Sequence, residues 1–321
     1  MVDGNSLFGP VDPAPDAGWT DAPPRMGFFT DTSVCIGCKA CEVACKEWNG
    51  VPGSGLDLLG MSYDNTGALT ANSWRHVAFV EQPGRVGGAG LPAGPHGGSS
   101  GSVSAGHGSA GGPQFLGMPG SQPPGRAGGG VRSDFRWLMM SDVCKHCTHA
   151  ACLDVCPTGS LFRTEFGTVV VQEDICNGCG YCVPACPYGV IDQRRGDGRA
   201  WKCTLCYDRI GAGATPACAQ ACPTESIQYG PLAELRERAA ARVGVLHERG
   251  VAEARLYGAD PDDGVGGDGA FFLLLDEPEV YGLPPDPVVT TRDLPRMWRR
   301  AGVAALAMAA AAVAAFLGRS S

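Results

Sequence analysis

The chain has 321 residues, more than one ordinary domain, with 48 glycines and 25 prolines making up nearly a quarter of it and charged residues only 18%. Twenty-five Lys+Arg against 33 Asp+Glu leave a net charge of −8, which excludes a counterion-displacing nucleic-acid binder. A secreted disulfide scaffold could hold sixteen cysteines, but such scaffolds are usually short, and the spacing suits metal better.

Residues 1–26 lack both a basic start followed by an apolar run and any periodicity, and are expected to be disordered. Cysteines then arrive in four groups of four: Cys35, Cys38, Cys41 and Cys45; Cys144, Cys147, Cys152 and Cys156; Cys176, Cys179, Cys182 and Cys186; Cys203, Cys206, Cys218 and Cys222. None lies outside these groups, so the chain contains an internal repeat. Between the first two groups, residues 81–130 hold 18 of the 48 glycines and read as a flexible surface insertion. Thr168–Val171 predicts a short β-branched strand after a turn at Gly167, between groups two and three.

After group four, Pro231 opens a predicted helix with Leu232, Leu235, Ala239, Val243 and Leu246 at 3–4-residue steps, closed by Gly250. Ala270–Leu275 reads as one buried strand, and Pro284, Pro285 and Pro287 as an extended linker. Residues 301–318 carry no charge and would span about 27 Å as a helix, against a bilayer core of roughly 30 Å. Arg296, Trp298, Arg299, Arg300 and Arg319 flank them, which favours a single membrane anchor over a soluble alanine-rich packing helix. Arg292 and the three arginines at 296, 299 and 300 precede the anchor and only Arg319 follows, so the positive-inside rule places the cysteines on the cytoplasmic side.

Group three, Cys-x2-Cys-x2-Cys-x3-Cys-Pro, is the bacterial ferredoxin run, in which three thiolates hold one 4Fe–4S cluster and the fourth reaches the neighbouring cluster. Group one has the same spacing with Lys46 in place of the proline, while groups two and four widen the second gap and keep Pro157 and Pro223. A structural zinc module remains the competing reading, best suited to group four; zinc prefers two Cys-x2-Cys pairs separated by a loop, which group three does not offer. Sixteen thiolates divided by four give four clusters. Ferredoxin-type crossing then assigns Cys35, Cys38, Cys41 and Cys222 to cluster 1, and Cys45, Cys203, Cys206 and Cys218 to cluster 2. Cys144, Cys147, Cys152 and Cys186 hold cluster 3, and Cys156, Cys176, Cys179 and Cys182 cluster 4. His146 and His149 are expected at the surface or beside the ligands. All four lysines, Lys39, Lys46, Lys145 and Lys202, immediately follow or precede a cysteine, and their charges are expected to raise cluster potentials.

The expected fold is α+β: two ferredoxin-like dicluster units, one nested in the other, plus one C-terminal transmembrane helix. The four-cluster domain covers 27–230, with its inner unit at about 135–200; 231–287 is a helix, strand and linker extension, and 288–321 the anchor segment. No phosphate-binding glycine loop and no nucleophile elbow is present, so the chain carries electrons and has no catalytic residues of its own.

CIGCKACEVACKEWN (35–49), CGYCVPACPYGV (179–190) and WKCTLCYDRIGAGATPACAQACPT (201–224) resemble the iron–sulfur beta subunits of membrane-bound molybdenum or tungsten oxidoreductases. YDNTGALTANSW (63–74), the helix ending in HERG with RLYGADPDDGVGG (255–267), and DEPEVYGLPPDP (276–287) resemble the branch belonging to respiratory formate dehydrogenase. The resemblance implies a molybdenum- or tungsten-pterin catalytic alpha subunit, a membrane cytochrome b gamma subunit leading to quinone, lipid contact through the C-terminal helix, and a place in the bacterial cell envelope. It further implies export on the partner's twin-arginine signal, the opposite side from the arginine count. An electron-transfer subunit of a sulfur-compound or nitrate-type reductase, or of a hydrogenase, shares the four-cluster scaffold.

Overall fold

The computed structural model of the protein describes residues 13–53, 63–64, 66–82, 136–292 and 294–318. In chain order its main elements are β1 (Met26–Asp31), α1 (Ala40–Asn49), β2 (Arg75–Gln82), β3 (Arg136–Val143), β4 (Leu161–Arg163), β5 (Val169–Val171), β6 (Asp192–Gln193), β7 (Ala200–Trp201), β8 (Ile227–Pro231), α2 (Leu232–Glu248), β9 (Arg255–Tyr257), β10 (Ala270–Leu274) and α3 (Leu294–Gly318). The glycine-rich stretch falls mostly outside the described residues. Residues 81–137 form a unit of their own, described only at 81–82 and 136–137.

A four-stranded sheet in the order β8-β1-β10-β9 ties the two ends of the main unit together. β1 runs parallel to β10, with Phe28 opposite Ala270 and Thr30 opposite Phe272, and antiparallel to β8. Period-two alternation divides β1 and β10 between two interiors. Phe29, Phe271 and Leu273 pack against Leu232, Leu235, Ala239 and Leu246 of α2. Phe28, Ala270, Phe272 and Leu274 face the other way, among Cys41, Cys45, Cys144, Cys203 and Cys218. This is why AFFLL is apolar at every position: a strand covered on both faces cannot alternate.

The predicted strand at 168–171 is β5, paired antiparallel with β4. The predicted helix is α2, capped by Pro231 at its start, with Gly250 at φ +84° beyond its end. The C-terminal helix starts earlier than the uncharged stretch, because arginines and Trp298 are compatible with helical backbone. Its Met297–Leu317 portion contains an 18-residue window of mean hydropathy 1.9, none of it buried, and is long and apolar enough to cross a membrane.

Two expectations change. Disorder is expected throughout 1–26, yet 13–25 carry a helical turn at Pro13–Asp16, and the Trp19 indole donates to the Arg163 carbonyl at 2.9 Å. Arg25 donates to the Thr148 hydroxyl at 2.7 Å and to the His146 carbonyl at 3.2 Å. Sequence periodicity is blind to a segment held by single long-range hydrogen bonds. The proline stretch is also not a free linker: the Tyr257 hydroxyl donates to the Pro284 carbonyl at 2.6 Å, and Leu283 and Val289 are buried.

Candidate iron–sulfur site

None of the sixteen cysteines is in a disulfide, and the backbone around them repeats one device. In the first Cys-x2-Cys of each of the four groups the residue before the second cysteine has a left-handed conformation: Gly37 (φ +66°), His146 (+47°), Gly178 (+72°) and Leu205 (+57°). Glycine takes this conformation freely, whereas His146 and Leu205 hold it at a cost of about 1–2 kcal/mol each. The left-handed residue curls the loop so that successive N–H groups face inward, as anion-binding backbone nests do. Leu205 N, for example, donates to Cys203 Sγ at 3.2 Å.

The single helical turn Ala151–Asp154 of group two packs on Cys182–Ala185 of group three, and α1 of group one packs on Ala217–Gln220 of group four. Groups two and three enclose their own small core of Ala150, Leu161, Val169, Ile191 and Ala200.

The cysteines come together in sets drawn from different groups. One cavity, about 290 Å³ with its open mouth, is lined by Cys35, Cys38, Cys41 and Cys222. A second, about 370 Å³, is lined by Cys144, Cys147, Cys152 and Cys186. Asn49 Nδ2 lies 3.8 Å from Cys45 Sγ and 3.9 Å from Cys206 Sγ, so it joins group one to group four. Burial pushes the Cys45 thiol up to about 12, and the nearby Cys218 and Cys206 add to the rise. Cys182 rises to about 11 through burial, with further contributions from Cys176, Cys179 and Cys156. Burial would also raise Cys156, but the backbone N–H groups of Leu161, Thr158 and Ser160 and the Thr158 hydroxyl outweigh it and lower the thiol.

These donor sets suit a multi-iron cofactor. Among the described residues no three His, Cys, Asp or Glu side chains converge as tightly as a single ion requires, whereas zinc needs four donors at about 2.0–2.3 Å. The thiols instead surround cavities. Two buried N–H groups beside them, Arg75 Nε and His146 Nε2, have no acceptor among the described residues. His146 Nδ1 accepts from Val169 N at 3.1 Å, so its proton sits on Nε2. Burial, then the charges of Lys202, Arg163, Arg25 and Arg75, hold this imidazole neutral well below its ordinary pKa. Unpaired buried donors are costly in a protein, and cluster sulfides are acceptors of the required kind. His146 is 1% exposed, so it belongs beside the ligands and not at the surface.

The lysines divide. Lys39 pairs with Glu42 at 3.3 Å and Asp64 at 3.6 Å, and Lys145 pairs with Asp142, so both charges are largely offset. Lys46 donates to the Asn72 carbonyl at 2.6 Å. Lys202 is 2% exposed, donates to the Val169 and Cys203 carbonyls, and has no carboxylate partner among the described residues. Burial acts to lower its pKa, but the Cys144, Cys152 and Cys203 thiols outweigh it and leave it raised.

Arg75 was not legible from motif spacing, since it is 30 residues from the nearest cysteine in sequence. The one clue is a charged residue just before the apolar run Val77–Val80. It is 1% exposed, and its Nη2 donates to Cys218 Sγ at 3.3 Å. Asp268 is fully buried beside Cys147; burial pushes its carboxyl up to about 8, and the Tyr188 hydroxyl donates to it at 2.9 Å.

Comparison with known proteins agrees with this donor chemistry. Two family models, both described as 4Fe-4S dicluster domain, match residues 34–160 and 135–232. The nitrate-inducible formate dehydrogenase iron–sulfur subunit of Escherichia coli K12 is 34% identical over 81% of this chain and 73% of its own length. The formate dehydrogenase iron–sulfur subunit of Haemophilus influenzae is 35% identical over 86% of this chain and 73% of its own. The B subunit of anaerobic dimethyl sulfoxide reductase from E. coli K12 is 30% identical over 67% of this chain and 77% of its own. The chain is therefore an electron-transfer protein with 4Fe–4S dicluster domains, and it belongs to the family of iron–sulfur subunits that includes those of formate dehydrogenase.

Proposed function

We propose that the chain is the electron-relay subunit of a formate dehydrogenase complex, holding four 4Fe–4S clusters between a molybdenum- or tungsten-pterin catalytic subunit and a membrane cytochrome b that passes electrons to quinone. The observation that carries the reading is the gathering of thiols from different sequence groups around separate cavities, together with relatives named for formate dehydrogenase. The ligand sets are the crossed ones: Cys35, Cys38, Cys41 and Cys222; Cys45, Cys203, Cys206 and Cys218; Cys144, Cys147, Cys152 and Cys186; Cys156, Cys176, Cys179 and Cys182. Bound there, the clusters supply one-electron carriers.

The chain's own residues give the row two ends. Cys38 and Cys179 are the exposed thiols of the sixteen, and exposed apolar side chains stand by each: Ile36 and Val43 near the first, Ile175 and Tyr181 near the second. Between them, Cys45, Cys203, Cys206 and Cys218 are all buried. Cys203 is raised well above its usual range by burial, with Cys45 and then Cys144 adding to it, so the second and third ligand sets adjoin. The anchor leaves the body near the nested unit, where the Thr291 hydroxyl donates to Asp154 at 2.5 Å and Val289 packs on Ala151. We therefore assign the Cys179 end to the membrane side and the Cys38 end to the catalytic partner.

The test is purification of the chain with its partners from native membranes under anaerobic conditions, with iron, pterin and formate-dependent dye reduction measured together. A pterin-bearing partner and formate activity are expected. A different large subunit without formate activity would keep the relay and remove this substrate; the match to the dimethyl sulfoxide reductase B subunit makes a sulfoxide the alternative to assay.

A further inference from the structure

Arg75 is the largest fully buried side chain among the described residues. No carboxylate lies within ion-pair distance of it among those residues. Its Nη1 donates to the carbonyl and hydroxyl oxygens of Ser141, each at 3.2 Å, its Nη2 donates to Cys218 Sγ at 3.3 Å, and its guanidinium lies 5.0 Å from the centre of the Phe28 ring. The Ser141 hydroxyl in turn stands 3.2 Å from Cys41 Sγ. Because that hydroxyl oxygen accepts from Arg75, its hydrogen is left for Cys41. A continuous row therefore runs from Cys41 through Ser141 and Arg75 to Cys218. Its two ends belong to different ligand sets, Cys41 with Cys35, Cys38 and Cys222, and Cys218 with Cys45, Cys203 and Cys206.

A buried cation is retained only where negative charge compensates it. Burial alone would depress Arg75, but Cys218, Cys41, Cys203 and Cys45 outweigh it and hold the guanidinium above even its ordinary range. Arginine cannot shed its proton, so the charge is permanent. Adding an electron to a thiolate-bound cluster adds negative charge, and both a fixed cation and an N–H···S hydrogen bond favour that state.

We propose that Arg75 is a fixed positive charge at the junction of the two outer-unit clusters, raising the reduction potential of the cluster held through Cys218 most and that held through Cys41 less, with Ser141 as the positioning residue for its guanidinium. This rests on the crossed four-cluster reading above. The hydrogen-bonded row ends on Cys41 and Cys218, both in the outer unit, so its effect is largest there.

The test is a potentiometric titration monitored by electron paramagnetic resonance on the intact complex, with iron content determined on the same samples, for wild type, Arg75→Gln, Arg75→Lys and Ser141→Ala. Expected in Arg75→Gln is full iron and at least a tenfold fall in the reduced-to-oxidised ratio of one outer cluster at fixed potential, about 59 mV for one electron. The nested clusters should shift by less. Arg75→Lys, which keeps the charge but loses the fork, should fall between the two. If Arg75→Gln loses iron, Ser141→Ala decides at the cluster held through Cys218, which Ser141 reaches only by way of Arg75: a lowered potential there supports the proposal, and a wild-type potential there overturns it. Full iron with unmoved potentials, or an equal shift in all four clusters, overturns the inference alone. Wild-type iron short of four clusters overturns the four-cluster reading and the inference with it.

Discussion

Replacing Lys202 by glutamine removes the one buried lysine whose charge no carboxylate offsets among the described residues. The side chain lies where the nested unit meets the outer one, with Cys144 and Cys152 of one ligand set and Cys203 of the other acting on it. The Coulomb relation sets the scale. A unit charge about 6 Å from an added electron contributes about 2.8 kcal/mol at an effective dielectric of about 20. That is about two decades in the reduction equilibrium, or about 120 mV for one electron. The cluster held by Cys144, Cys147, Cys152 and Cys186 should therefore become harder to reduce by about this amount in Lys202→Gln. Lys202→Arg, which keeps the charge, should stay near wild type. Redox titration of the loaded protein reads the difference directly. A Lys202→Gln protein with full iron and wild-type potentials would refute the electrostatic reasoning, and a similar shift in Lys202→Arg would assign the effect to packing.

Three further outcomes follow from the same geometry. Cys45→Ser should perturb the cluster otherwise bound by Cys203, Cys206 and Cys218, and magnetic spectra that lose only the signal tied to Cys35, Cys38 and Cys41 would contradict the crossed sets. In Gly37→Ala the new Cβ would meet Phe79 Cε1 at 2.6 Å and Met139 Sδ at 2.7 Å on backbone at φ +66°. That strain, about 1–3 kcal/mol, should lower the iron content by one cluster, and full loading with unchanged thermal stability would show that the loop tolerates a side chain. Removing the chain from Met297 onward should let high-salt washing strip this chain from membranes while leaving its cluster spectra intact; retention equal to that of the full chain would assign its hold on the membrane to a partner.

The cysteine groups could be read from sequence because their spacing is local, whereas the cavities that gather thiols from different groups are tertiary. Cys176, Cys179, Cys182 and Cys186 announce themselves by spacing, and Thr168–Val171, the helix after Pro231 and the AFFLLL strand obey short-range rules of periodicity and capping. Arg75 and the row through Ser141 did not, because they arise from β2 and β3 lying side by side, a tertiary fact without a motif. The lysines show the same limit from the other direction. Adjacency to a cysteine looked equivalent at all four, but Asp142, Glu42 and Asp64 offset two of them, and only tertiary packing buries Lys202. Left-handed backbone at Gly37 and Gly178 was foreseeable from glycine. At His146 and Leu205 it was not, since the loop template overrides the residue's own preference. The packing of 13–25 escaped for want of any pattern: its hold is a tryptophan N–H and an arginine fork reaching residues more than a hundred positions away.

The most direct test of the central claim is to add formate to the purified, oxidised complex without oxygen and record the electron paramagnetic resonance spectrum at low temperature. The relay account predicts reduced 4Fe–4S signals from this chain, lost in variants of its cysteines, with four irons for each of four clusters. Formate turnover by the complex with this chain's clusters remaining oxidised throughout would contradict it.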